Sequence, residues 1–230
     1  TVIPAATPTT FTTASAGNWS GATWSPQQPI SAFATTIVFN NAGPISSSNN
    51  LGLLLANKLN LTNGAVTLTG DALFLAGSAP AVISTANVGH TLGGILTLDA
   101  ATTFNIPSNT TTVSGVINGN GGITKTGAGT LVLSGANSNT GPTTVSTGVL
   151  NLRHPDALGS SNITVASGAS LDLQNNITLT GHRATLTGQG SGTGGVLRNV
   201  SGNNTWAGEI TAVADSGITR ISSEAGTLTL

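Results

Sequence analysis

The segment GTLVL at residues 129–133 recurs along the chain as GVLNL at 148–152, GASLDL at 168–173 and GTLTL at 226–230. In each copy a glycine precedes leucines at alternate positions, and this alternation is typical of a β-strand with one buried face. The first three copies follow one another at intervals of about 20 residues, which is the length of one coil in a β-solenoid. The interval therefore predicts an all-β chain folded as a right-handed parallel β-helix.

A longer repeat overlies the first, at an offset of roughly 95 residues, which is close to five such coils. Extended over the 230 residues, these periods predict about eleven coils and a rod some 50 Å long. The matching segments are 112–117 with 205–210, 122–125 with 217–220, and 128–133 with 225–230.

An antiparallel β-sandwich is the structural alternative. It would place hairpins at intervals of roughly 8–12 residues with Asn-Gly turns, and Asn63-Gly64 and Asn118-Gly119 are candidates for such turns. In the β-helix, Leu, Val and Ile at alternate positions point inward, whereas Thr and Ser face solvent. By the same alternation Asp172, which lies between two leucines, is expected to face solvent.

The composition excludes several classes of function. Only 6% of the residues are charged and the net charge is −1, so the chain has no basic surface for nucleic acid or anionic lipid. Cysteine is absent, which excludes disulfides, thiolate metal sites and cysteine nucleophiles. Methionine is absent as well, and we expect either a mature chain freed of its leader or a fragment. No apolar run is long enough to span a bilayer.

The segment 121–137, GGITKTGAGTLVLSGAN, resembles the autotransporter-associated β-strand repeat. The similarity continues through TGPTTV at 140–145, GVLNL at 148–152, DALGS at 156–160 and VASGA at 165–169. The resemblance implies a secreted, β-helical passenger that is exposed at the cell surface. We therefore expect an extracellular location, either secreted or on the cell surface.

Three regions are expected along the chain: an extended amino-terminal arm at 1–16, a cap at 17–45, and a β-solenoid at 46–230 that contains the autotransporter-type repeat from about 115 onward, with its last copy incomplete. The cap is inferred from an aromatic cluster near the amino terminus, because the first coil of a solenoid must cover its open core. The clustered residues are Phe11, Trp19, Trp24, Phe33 and Phe39.

The residues that usually carry catalysis are few and dispersed in the sequence. Glycoside hydrolysis needs two carboxylates within roughly 5–10 Å, and no local acidic cluster suggests such a pair. The segment 190–195 matches G-x-G-x-x-G, but a strand follows it instead of the required helix. The sequence therefore predicts no catalytic residue, no cofactor site and no metal site. The acids are Asp71, Asp99, Asp156, Asp172, Glu209, Asp215 and Glu224, and the histidines are His90, His154 and His182.

The first functional hypothesis is a non-enzymatic, extracellular structural or adhesive protein. The alternative is a carbohydrate-binding or polysaccharide-cleaving β-helix, which would gather its acids and histidines in one groove. The expected partners are further repeats, surface glycans, or copies of the chain stacked head to tail through the arm Thr1–Thr13. Pro4 and Pro8 in that arm favour an extended segment, and nucleic acid is not an expected partner.

The inward and outward assignments predict different costs of substitution. Leu131→Ala or Leu171→Ala should lower the free energy of unfolding by about 2–5 kcal/mol, because each removes a side chain from a stacked leucine core. Thr130→Ser or Thr147→Ser should cost far less, because these side chains face solvent. Denaturant titration measures both, and equal costs for the two pairs would contradict the assignment.

Overall fold

A computed structural model describes residues 9–85, 87–192, 194–215 and 217–230. Over this range the chain winds into ten coils, and each coil contributes strands to faces that run along the whole stack. Among the described residues the helical content is one 3-10 turn at Trp19–Gly21. No helix in this part of the chain has the length and apolar character needed to cross a membrane.

The first face is a ten-stranded sheet with one strand from every coil. Its strands are Thr9–Thr13 (β1), Thr35–Asn41 (β3), Lys58–Asn63 (β6), Ala81–Ser84 (β9), Thr102–Asn105 (β12), Ile123–Thr126 (β15), Thr143–Val145 (β17), Ile163–Val165 (β19), Ala184–Thr187 (β22) and Ile210–Val213 (β25).

The second face is also ten-stranded. Its strands are Gly17–Asn18 (β2), Ile45–Asn49 (β4), Val66–Gly70 (β7), His90–Leu92 (β10), Thr110–Val113 (β13), Thr130–Leu133 (β16), Gly148–Leu152 (β18), Ala169–Gln174 (β20), Leu197–Ser201 (β23) and Ile221–Ser223 (β26).

The third face is divided into a four-stranded and a three-stranded sheet. The four-stranded sheet contains Leu54–Ala56 (β5), Leu73–Leu75 (β8), Leu96–Leu98 (β11) and Ile117–Asn118 (β14). The three-stranded sheet contains Thr178–Leu179 (β21), Asn204–Trp206 (β24) and Leu228–Thr229 (β27).

Strands pair with the equivalent strands of neighbouring coils, and all these pairs are parallel; β15, for example, pairs with β12 on one side and with β17 on the other. Asn63-Gly64 and Asn118-Gly119, the candidate hairpin turns, lie instead where the chain turns toward the next parallel strand. The parallel β-helix is therefore confirmed, and the antiparallel sandwich is wrong.

The number of coils is ten, one fewer than the sequence period predicts. Register partners in the middle of the first face are 20 or 21 residues apart, as from Thr124 to Thr144 and from Thr164 to Thr185. At both ends the interval is 26 residues, from Thr10 to Thr36 and from Thr185 to Thr211. The longer end coils use up the residues that an eleventh coil would need.

The longer sequence repeat does not place its two copies in equivalent positions. Thr130–Leu133 forms a strand of the second face, whereas the matching residues near the carboxy terminus form β27 on the third face. The segment 112–117 runs from β13 on the second face to β14 on the third face. Its counterpart 205–210 runs from β24 on the third face to the start of β25 on the first face. The similarity of the two segments therefore reflects shared strand and turn chemistry and not a structural repeat.

The core consists of columns of identical or similar side chains that stack from coil to coil. Leu131, Leu150, Leu171 and Leu197 are successive register partners on the second face, and all are fully buried. Outward positions of the first face form the opposite kind of column, in which threonines are register partners over six coils. These threonines are Thr103, Thr124, Thr144, Thr164, Thr185 and Thr211.

The two ends of the stack differ. At the first coil, Thr12 in β1 exchanges backbone hydrogen bonds with Ser25, which covers the outer edge of that strand. Trp19, Trp24 and Phe39 pack together over the core, with ring centroids 5.3–6.0 Å apart. Phe11, Trp19, Trp24 and Phe39 of the aromatic cluster are buried, whereas Phe33, which the sequence grouped with them, is 60% exposed.

The part of the predicted amino-terminal arm that the structure describes is already paired. Thr9–Thr13 is β1, and β3 lies along one edge of it while Ser25 covers the other at Thr12. Residues 1–8, including Pro4 and Pro8, lie outside the described residues. In β1 the side chains of Phe11 and Thr13 are buried, whereas β25, β26 and β27 of the last coil contain no buried side chain, and Val213 in β25 is 41% exposed.

Candidate functional site

The acids that the sequence offered as catalytic candidates are spread over separate corners and faces. Asp156 lies beside His154, 3.7 Å from its Nδ1, in the turn after β18, as expected for a corner insertion. Glu209 pairs with Arg183 at 3.3 Å on the exposed surface. Asp215 accepts a hydrogen bond from the Ser167 hydroxyl. Glu209 and Asp215 thus connect separate segments of the chain, whereas Asp156 contacts a residue of its own turn.

Two carboxylates meet at one place, on the outer side of the second face. Arg198 donates two hydrogen bonds to Asp172, at 2.7 and 2.6 Å, and its third nitrogen lies 3.5 Å from Glu224. The three residues come from the last three coils, so the guanidinium connects β20 and β23 with the residue that follows β26. Burial raises the pKa of Asp172, while the hydrogen bonds from Arg198 act in the opposite direction.

The expectation that Asp172 faces solvent is wrong, since the residue is only 4% exposed. The loop between β22 and β23 folds over this part of the second face, where the Ser170 hydroxyl donates to the Gly195 carbonyl and accepts from the Ser191 amide. This is the segment that matches G-x-G-x-x-G, and a strand follows it as predicted. A Cβ at Gly194 in this loop would lie 2.7 Å from Cδ of Arg198, so the loop packs against the side chain that is hydrogen-bonded to Asp172.

Two of the three histidines are buried in different coils. His90 lies in β10, where its Nδ1 accepts a hydrogen bond from the Val66 amide at 3.2 Å, and burial lowers its pKa. His182 contacts the Ser161 carbonyl through Nδ1 at 2.8 Å and packs near Trp206. Within the described ranges no group of three or more His, Asp or Glu side chains could hold a metal ion.

Lys125 is a functional group that the sequence analysis did not single out. It occupies the inward position of β15, between the register partners Phe104 and Val145, and is fully buried. Its Nζ donates hydrogen bonds to the carbonyls of Thr126, Gly127 and Thr147, at 2.9, 2.8 and 3.3 Å. The amine thus satisfies corner carbonyls of two successive coils. Strict alternation after Ile123 already places Lys125 inward, so the signal was present in the sequence.

Buried asparagines also provide hydrogen-bond partners for backbone groups along the third face. Asn137 accepts a hydrogen bond from the Ile117 amide at 2.8 Å and donates to the Ala157 carbonyl at 2.7 Å, so that one side chain joins three coils. At the start of the third-face strand β24, Asn204 accepts a hydrogen bond from the Ile177 amide at 2.8 Å. These amides replace backbone partners that a continuous sheet would provide.

The outer side of the third face contains an open apolar cleft of about 350 Å³. Leu55 and Phe74, register partners on β5 and β8, form its floor. Phe33 and Leu53 rise beside them and are 60% and 65% exposed. Ser31 and Asp99 complete the lining. Sequence reasoning missed this site because it assigned Phe33 to the cap and treated the leucines as core.

The centre of the solenoid is similar to a known family of repeats. The family model of the passenger-associated-transport-repeat matches residues 123–152, which run from β15 to the end of β18. The resemblance to the autotransporter-associated repeat is therefore confirmed.

A curated relative is similar over a larger part of the chain. It is the Adhesin BmaC autotransporter of Brucella suis biovar 1 (strain 1330), which is 40% identical over 108 residues. The similar region covers 44% of this chain and 3% of the relative, so the chain spans only a small part of that protein's length. No solved structure matches the chain significantly.

The buried lysine predicts an unusual dependence of stability on pH. Burial lowers the pKa of Lys125 to about 8, whereas the unfolded chain keeps a value near 10.5. Between these values the unfolded state binds more protons, so the free energy of unfolding should rise with pH, by about 3 kcal/mol in total. The chain has no Tyr or Cys to titrate in this window.

The measurement is denaturant unfolding at several pH values from 7 to 11, on the wild type and on Lys125→Met. The rise should disappear in Lys125→Met and persist in Lys58→Met, because Lys58 lies on the surface side of β6. A rise of the same size in all three proteins would show that Lys125 is not its source.

Proposed function

We propose that the chain is an exposed segment of an autotransporter-type passenger and serves there as a rigid, non-enzymatic, adhesive scaffold at the cell surface. The observation that carries this proposal is the passenger-associated-transport-repeat at 123–152, which lies in the middle of an uninterrupted stack of ten coils. A relative whose name describes it as an adhesin supports the adhesive role.

The distribution of charged groups favours a scaffold over a polysaccharide-cleaving β-helix. Asp172 and Glu224 are the pair that share a contact, and Arg198 lies between them. The guanidinium neutralises Asp172, and the overlying loop leaves it only 4% exposed. A glycosidase needs one protonated and one ionised carboxyl group that both reach the scissile bond.

End-to-end assembly is a finer part of the same proposal. The last coil supports it, since Val213, Ile218 and Leu230 are 41–63% exposed, and strand edges with apolar neighbours are templates for further strands. Thr9–Thr13 is already paired with β3 along one edge and with Ser25 at Thr12 on the other, which favours docking of a second copy through a different segment.

The adhesive role can be tested with beads that carry the purified chain. Beads coated with the wild type should be retained on monolayers of cultured epithelial cells at least fivefold more than beads coated with albumin, because a passenger segment presents its surface to other cells. Retention equal to that of albumin would contradict the adhesive role. Sedimentation of the same preparation reports filaments, and a monodisperse monomer would contradict end-to-end assembly.

The non-enzymatic part is tested separately on plant and bacterial polysaccharides. No reducing ends should be released by the wild type. Release that Asp172→Asn or Glu224→Gln abolishes, while Asp156→Asn leaves it unchanged, would contradict the scaffold and favour the polysaccharide-cleaving alternative.

A further inference from the structure

The outer surface of the third face differs from the other outer surfaces of the solenoid. On the first face, outward positions are threonines over six coils. On the third face, the outward register partners Leu55 and Phe74 are apolar. Beside them Leu53 and Ile95 are 65% and 42% exposed. Because these positions face away from the core, packing of the core does not require apolar residues there.

The apolar residues are also concentrated in one part of the molecule. Seven large apolar side chains are exposed in the described part of the chain, and four of them belong to the first four coils, which form and flank the cleft. These four are Ile30, Phe33, Leu53 and Ile95. The other three lie in the last coil. Contiguous exposed apolar surface on a soluble domain usually marks a site of interaction.

The cleft is held in place by backbone contacts, so its shape is defined before a ligand arrives. The Leu55 amide donates to the Ser31 hydroxyl at 2.8 Å, and the Ala32 amide donates to the Leu55 carbonyl at 3.2 Å. These two bonds fix the segment that carries Phe33 along the edge of β5. Phe33 lines the cleft next to this fixed segment and remains 60% exposed.

The charged side chain that lines the cleft is acidic. Residues 9–122 contain three Lys, Arg, Asp or Glu side chains, which are Lys58, Asp71 and Asp99. Asp99 lines the cleft itself. Asp71 lies outside the lining, and its carboxylate accepts a hydrogen bond from the Gly52 amide at 2.8 Å. Lys58 lies on the first face, in a separate depression that Phe33 also lines.

Asp99 has no ion-pair or hydrogen-bond partner for its carboxylate among the described side chains. An exposed carboxylate next to apolar surface attracts a cationic group on a partner and repels an anionic one. The same argument excludes an anionic lipid surface. Charge complementarity therefore selects a ligand that combines apolar side chains with a positive charge.

We propose that this cleft, formed by Ser31, Phe33, Leu53, Leu55, Phe74 and Asp99, binds a peptide segment of a protein partner that carries apolar side chains beside lysine or arginine. An apolar side chain of the partner enters between Phe33 and Phe74, and its basic neighbour lies against Asp99. This assignment deepens the proposed adhesive function and rests on it for its biological role, because it names the surface and the class of partner.

The probe is a fluorescein-labelled octapeptide that alternates Leu and Phe with Lys. Two matched peptides replace Lys by Glu, or Leu and Phe by Ser. Fluorescence anisotropy with the purified chain should show binding of the first peptide at least tenfold tighter than of either matched peptide. Equal binding of the Glu peptide would overturn the role of Asp99, and equal binding of the Ser peptide would overturn the apolar cleft.

Variants locate the site on the protein. Leu53→Ser and Phe33→Ser should each weaken binding at least tenfold, whereas Ile218→Ser, at an exposed apolar position of the last coil, should leave it unchanged. Asp99→Asn should weaken binding about fivefold and remove the preference for Lys over Glu, and Asp156→Asn should do neither. Circular dichroism confirms that the outward variants fold. Unchanged binding by Leu53→Ser and Phe33→Ser would overturn the proposal.

Two further outcomes distinguish a different ligand of the cleft from a failure of the proposed adhesive function. A dimer in sedimentation that Leu53→Ser dissociates would assign the cleft to a second copy of the chain and overturn the peptide. Tight peptide binding by a chain whose beads do not adhere to cells would contradict the adhesive function while the ligand class of the cleft stands. Adhesion that survives Leu53→Ser would show that adhesion uses another surface.

Discussion

The structure depends on parallel hydrogen bonding between backbone segments that lie 19–30 residues apart in the chain. Each inner strand of the two ten-stranded faces pairs with the coil before it and the coil after it, so the register of one coil fixes that of the next. A shift by one residue would turn every inward leucine outward. The unbroken column of Leu131, Leu150, Leu171 and Leu197 is the packing that selects this register. Stability then comes from contacts between neighbouring coils, as in other solenoids.

Corners are where such stacking would leave backbone groups without partners, and polar side chains are used there in place of strands. Lys125 binds three carbonyls from inside the core. Asn137 connects the Ile117 amide to the Ala157 carbonyl across a coil that has no third-face strand. Buried polar groups of this kind are costly unless fully bonded. Their role in holding the corners explains why a chain with so few charges keeps a lysine in its core. Since buried side chains hold the corners, the outward positions can differ between faces. They are threonines on the first face, and on the third face they form an apolar cleft.

Much of the fold could be predicted from the sequence, because alternation and a 20-residue interval act locally and repeat. The leucine columns and the passenger-type repeat follow from GTLVL and its copies. Asp172 could not be placed correctly, since its burial depends on Arg198 one coil later and on the contacts of Ser191 and Gly195 with the neighbouring Ser170. The equivalence of 128–133 with 225–230 failed for a related reason: end coils of 26 residues move the second copy to another face. The cleft was missed because sequence alternation shows which residues point outward but not which of these residues are neighbours in space.

The central claim, that successive coils stack in register, can be measured directly because the chain has no native cysteine. Spin labels attached to cysteines introduced in pairs report distances along the outward column of the first face. Thr36 and Thr124 are four coils apart, and Thr36 and Thr164 are six coils apart; Thr36 and Thr211 are eight coils apart. At about 4.8 Å per coil, the pairs should give about 19, 29 and 38 Å between backbone positions. Distances that do not increase linearly with the number of coils would contradict the parallel solenoid.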